Sequence, residues 1–299
     1  MRTSPIQCAA LVCLAMLLPW ESGAVAAARP ANTGTALVTD TADHVHIQYT
    51  VYGSGDPAIV LIHGWSCDSG YWHSQIDALA AHYTVVTLDL AGHGGSGRNR
   101  TDWSMQRYGG DVAAVVRQLP NPRVILVGHS MGGPVALEAA ALIGARVAGI
   151  IGVDTFKSIG LPPPSAAMID EQIAPFRKDF VGTVHDYVPQ HLFTRQADPA
   201  LVSKVVEGMS REPPSIAIAS LIALNQLDFA AVLPRVHAPI VAINSDLGQL
   251  TDETRIRKSL PDFRVTTLKG SGHFLMLEQP QRFNPILLQQ IAQLTRSTP

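Results

Sequence analysis

Two hydrophobic rhythms alternate along this chain and divide it into strands and helices. Residues 44–52 place apolar side chains at every second position and stop at Gly53-Ser54-Gly55-Asp56-Pro57, so residues 35–55 read as an antiparallel edge hairpin. Residues 58–62, 84–90, 123–127, 147–153 and 239–243 are instead mainly apolar runs, the mark of strands buried on both faces, and residues 263–268 continue the alternation as a last strand. Between them, residues 75–79, 105–119, 132–144, 251–260 and 280–294 repeat their apolar positions at helical spacing. Strands alternating with helices imply right-handed crossovers and an α/β fold with a mainly parallel central sheet covered by helices on both faces. Ligands bind such sheets at the C-terminal strand ends, where His63, Asp89, Ser130 and Asp154 fall.

The rhythm breaks over residues 158–227. Pro162-Pro163-Pro164, Pro175, Pro189, Pro199 and Pro213-Pro214 separate short helical pieces there, with no strand between them. The expected organisation is a core domain of residues 29–157 and 228–299, interrupted by a helical cap of residues 158–227. Residues 1–28 differ again: Arg2 precedes an apolar run over residues 6–18, followed by Pro19 and the small residues Gly23-Ala24-Val25-Ala26-Ala27-Ala28. This is the pattern of a cleavable signal peptide, since the run falls short of the roughly 20 residues that span a bilayer. The expected location is therefore secreted or periplasmic, with no stable membrane insertion after cleavage.

Composition narrows the partners. With 299 residues, 46% hydrophobic and 15% charged, the chain can bury a large core. A net charge of -2 without a basic block removes the footprint that nucleic-acid binding requires, leaving a small neutral or weakly polar molecule as the expected partner. Oligomeric state is not encoded in these patterns. Only Cys67 would survive signal cleavage; it lies in a polar loop with no base implied beside it and reads as an idle or buried thiol. Asn99-Arg100-Thr101 is a formal glycosylation sequon.

The chemistry centres on Gly128-His129-Ser130-Met131-Gly132, a G-x-S-x-G turn between a β-branched run and a helix. Glycines two residues either side of the serine let strand and helix approach closely and leave the hydroxyl exposed at the strand end. This turn, with His63-Gly64-Trp65, the loop Asp89-Leu90-Ala91-Gly92-His93-Gly94-Gly95-Ser96, and Gly272-His273-Phe274 before Glu278-Gln279-Pro280, resembles the α/β-hydrolase superfamily over nearly all of the mature chain, cap included. The resemblance implies a serine nucleophile, Ser130, with His273 as its base. The other histidines read as structural or solvated. A serine hydroxyl needs such a base near neutral pH, and the base needs a carboxylate to fix its tautomer.

Two aspartates compete for that role. Asp246, after the strand of residues 239–243, fits the chain order serine, acid, histidine and is placed first, although it follows the strand with a shorter turn than relatives use. Asp154, 24 residues after Ser130 at the end of the next strand, is the rival. The backbone amides of Met131 and, by resemblance, Trp65 are the expected oxyanion donors. No metal or organic cofactor is implied. Relatives that open epoxides or carbon–halogen bonds use an aspartate nucleophile, so Ser130 points to an esterase acting on small or medium carboxylic esters, lactones included. Carbon–carbon, thioester or amide hydrolysis, a perhydrolase side reaction, and a non-catalytic receptor that retains the triad are the alternatives. Met168, Ile173, Phe176, Phe180, Tyr187, Leu192 and Phe193 either line a substrate pocket or form the cap's own core.

Overall fold

A computed structural model describes the fold of residues 33–297; the expected signal peptide lies outside the described residues. Eight strands form one sheet in the spatial order β1-β2-β4-β3-β5-β6-β7-β8. They are β1 (Thr35–Asp40), β2 (His46–Tyr52), β3 (Ala58–Ile62), β4 (Thr84–Leu88), β5 (Val124–His129), β6 (Val147–Val153), β7 (Ile240–Ser245) and β8 (Arg264–Leu268). The alternating segment forms the antiparallel β1–β2 hairpin, and β2 joins β4 antiparallel. Every other pairing is parallel.

Burial explains why the continuous runs became the central strands. All residues of β3, β4, β5, β6 and β7 are buried, and each fully buried Val, Leu or Ile stabilises the sheet by about 1.5–3 kcal/mol relative to exposure. Helices α1 (His73–Ala80), α2 (Met105–Gln118) and α3 (Gly132–Ile143) connect the strands up to β6. Because β4 lies on one side of β3 and β5 on the other, the connections change direction between β3 and β5. That switch point opens a crevice at the C-terminal ends of these two strands.

Between β6 and β7 the chain is helical: α4 (Ala166–Lys178), α5 (Phe180–His191), α6 (Pro199–Ser210), α7 (Pro214–Asn225) and α8 (Phe229–Val232). Pro199 and Pro214 open helices, where a missing N–H is harmless, whereas Pro175 and Pro189 lie inside α4 and α5 and do not separate helical pieces as expected. Ser165, Asp179 and Asp198 cap α4, α5 and α6 by accepting from backbone amides. Helix α4 packs on α5 and α7, and α5 on α6.

After β7 the structure departs from the periodicity. The helix expected over residues 251–260 is only α9 (Glu253–Ile256), capped by Asp252. Turns continue from it to Pro261, with the Leu260 amide donating to the Ile256 carbonyl at 2.9 Å and the Arg257 side chain donating to the Phe263 carbonyl at 2.9 Å. A short α10 (Leu275–Glu278), which the pattern did not suggest, precedes the closing α11 (Pro280–Ser297).

Candidate active site

Ser130 sits in the turn between β5 and α3 with φ +51°, a left-handed conformation that a Cβ disfavours by about 1–3 kcal/mol. The surrounding backbone holds it there. Its amide donates to the Val153 carbonyl at 2.9 Å and its carbonyl accepts from Gly133 at 3.0 Å. The flanking glycines are sterically required: a Cβ on Gly128 would lie 2.1 Å from the Gly132 carbonyl oxygen, and one on Gly132 would lie 2.5 Å from that of Ile62.

His273 reaches the same place from the loop after β8. Its amide donates to the Leu192 carbonyl at 2.8 Å, and its carbonyl accepts from His129 Nε2 at 2.9 Å. Its Nδ1 lies 2.6 Å from Asp154 Oδ2. A carboxylate can only accept, so Nδ1 carries the hydrogen and Nε2 is left as the proton acceptor. Ser130 and His273 line one cavity without a hydrogen bond between their side chains among the described residues, the loose spacing common before substrate tightens such pairs.

The carboxylate beside His273 is thus that of Asp154, and the preference for Asp246 is corrected. Asp246 Oδ1 accepts from the Gly270 amide at 2.7 Å on the exposed side of the β8 turn. The cause is local. Asp154 leaves β6 with φ +46°, which turns its side chain into the crevice. The end of β7 is occupied by Asn244 and Ser245, both buried, whose side chains face β6. Asn244 Oδ1 accepts from the Thr155 amide at 3.1 Å while its Nδ2 donates to the Thr155 carbonyl at 3.0 Å. Ser245 donates both its amide and its hydroxyl to Asp154 Oδ1, each at 2.9 Å. With these inward positions taken, the next residue, Asp246, falls outside the sheet end.

Asp154 Oδ1 also receives Lys157 Nζ at 2.9 Å. Burial alone would push this carboxyl up, but the hydrogen bond and charge of His273, joined by Lys157, outweigh it and hold Asp154 well below the usual carboxylate range. Asn244, Ser245 and Lys157 were not singled out from the sequence. Their available signal was a polar pair ending an otherwise apolar strand.

The amides of Trp65 and Met131, expected to receive a developing oxyanion, flank the switch-point crevice, and neither makes a backbone hydrogen bond among the described residues. The Trp65 indole N–H is engaged with the Ala217 carbonyl of α7 at 2.7 Å. His63 is structural: Nδ1 donates to the Gly64 carbonyl at 2.8 Å and Nε2 accepts from the Leu90 amide at 3.0 Å. His129 is buried, which with the neighbouring His273 lowers it to about 3 and keeps it neutral. Cys67 is buried, its thiol pushed up by burial and hence poorly nucleophilic.

Two cavities meet at Ser130. One, of about 340 Å³, is walled by Trp65, Phe176, Tyr187, Met209, Leu221 and Phe274. The other, of about 490 Å³, runs past Met131, Phe156, Lys157, Leu161, Met168 and Phe229. Of the apolar residues weighed in the insertion, Phe176, Tyr187 and Leu192 line the first and Met168 the second, whereas Ile173, Phe180 and Phe193 are buried in packing.

The chain was compared with known proteins. A sequence model described as "Alpha/beta hydrolase family" matches residues 59–286. A pimeloyl-[acyl-carrier protein] methyl ester esterase from Yersinia enterocolitica is 27% identical over 257 residues, 81% of this chain and 96% of that protein. Among solved structures, an esterase from Exiguobacterium antarcticum superposes with a TM-score of 0.76 at 20% identity, over 86% of this chain and 100% of that one. An enol-lactonase from Burkholderia xenovorans LB400 gives 0.74 at 19% identity, again over 86% and 100%.

Proposed function

The chain belongs to the alpha/beta hydrolase family, and from that premise we propose that it is an exported serine esterase cleaving small or medium carboxylic esters, lactones included. The observation that carries the reading is the convergence, on one largely apolar cavity, of a left-handed serine and a histidine whose Nδ1 is held by a buried carboxylate. The esterase names among its relatives support the bond type. Export rests on the composition of residues 1–28.

In this mechanism Ser130 Oγ attacks the ester carbonyl while His273 Nε2 takes its proton. Asp154 stabilises the resulting imidazolium and keeps Nδ1 as its donor. The Trp65 and Met131 amides receive the oxyanion, a geometry in which one donor contributes on the order of 3 kcal/mol to the transition state. His273 returns the proton to the leaving alcohol. Water, deprotonated by the same nitrogen, then releases the acid from Ser130. The first cavity, whose described lining carries no Asp, Glu, Lys or Arg, favours neutral, apolar groups on that side of the scissile bond.

Reaction with a fluorophosphonate probe and a chain-length series of nitrophenyl esters, with lactone, thioester and amide analogues alongside, tests the proposal. The folded wild type should be labelled and should prefer esters, and Ser130→Ala should lose labelling and at least about 10⁴-fold in turnover. Unlabelled, correctly folded wild type would refute the serine mechanism, and N-terminal sequencing that finds Met1 intact would refute export.

A further inference from the structure

We infer that Lys157 is a positioning residue that sets the pH range in which His273 serves as a base, by holding one oxygen of Asp154; the inference rests on the triad reading above. Lys157 lies three residues past Asp154, and its Nζ is 2.9 Å from Oδ1, the oxygen that does not face His273. The ammonium also donates to the Leu247 carbonyl at 3.4 Å. The side chain is 17% exposed, so this is not a freely moving surface lysine. Its backbone is clamped as well: Arg255 donates from Nη2 to the Lys157 carbonyl at 2.5 Å and from Nε to that of Ile159 at 3.1 Å.

The two oxygens of Asp154 therefore have divided duties. Oδ2 meets the imidazole, while Oδ1 meets the Ser245 amide, the Ser245 hydroxyl and a full positive charge. A carboxylate whose charge is shared with a fixed ammonium stabilises an imidazolium less than a free one does. Removing the ammonium would therefore leave Asp154 Oδ2 a stronger electrostatic partner for a protonated His273. The other groups facing the pair do not duplicate this effect. His129, from β5, has its ring 4.7 Å from that of His273 and is neutral. From α10, Glu278 is itself pushed up by burial and accepts from the Gly272 amide, so any charge it carries acts in the opposite sense. Ser245, from β7, is uncharged.

The test is the pH dependence of the second-order rate of fluorophosphonate labelling of the full-length protein, which needs no knowledge of the natural ester. Lys157→Met, which keeps the length and removes the charge, should move the rising limb of the profile to higher pH by about one unit, and Lys157→Arg should restore it. Lys157→Gln gives the same reading should the methionine variant not fold. A rising limb unmoved or moved to lower pH in the uncharged variants, or moved as far by Lys157→Arg, overturns the inference. KM for a neutral ester at the plateau separates this from a lost contact in the second cavity: it should stay within about twofold, and a large rise in KM with an unmoved limb counts as refutation. Failure of the triad reading is distinguishable, because it would appear as near-normal labelling in Asp154→Asn.

Discussion

The ends of β6 and β7 lie side by side, pair in parallel, and each carries an aspartate at or just past its last residue. Only one of the two meets His273. Asp154 turns inward through φ +46° and collects four donors, whereas Asp246 accepts the Gly270 amide from the solvent side. The β7 end serves its neighbour: Asn244 pins the peptide groups of Thr155 and Ser245 solvates Asp154 Oδ1. A carboxylate's value to a base therefore depends on backbone direction and on donors for its second oxygen, more than on its place in the order of the chain.

Breaking the β7 support should expose this dependence. Asn244→Ala strands the buried amide and carbonyl of Thr155 and should destabilise the fold by about 2–3 kcal/mol in denaturant titrations. Ser245→Ala keeps the backbone donor but removes the hydroxyl, and should lower kcat/KM about tenfold with little change in KM, a loss of roughly 1.4 kcal/mol. A smaller effect concerns acid stability. Because Asp154 is held below its ordinary value of 3.8 in the fold, it contributes stability above that pH, and the contribution is lost as pH falls further. Melting curves of Asp154→Asn should accordingly decline less steeply than wild type below about pH 4.

Much of the sheet could be read from hydrophobic runs, because strands buried on both faces admit little else. The serine turn was equally legible, since its glycines are sterically compelled. What escaped was decided by features without a periodic signature. A single left-handed residue selects Asp154; α9 gives way to turns after Ile256; and the partners of Asp154 come from 3, 91 and 119 residues away. Two of the insertion's helix starts showed in Pro199 and Pro214, while Pro175 and Pro189 fall inside helices, and which apolar residues face Ser130 depends on how the helices pack over the sheet.

The most direct measurement is the turnover of one nitrophenyl ester by Asp154→Asn and Asp246→Asn under the same conditions. The account predicts a loss of about 10⁴-fold for Asp154→Asn and less than about twofold for Asp246→Asn. The reverse order, or near-normal turnover by Asp154→Asn, would contradict it.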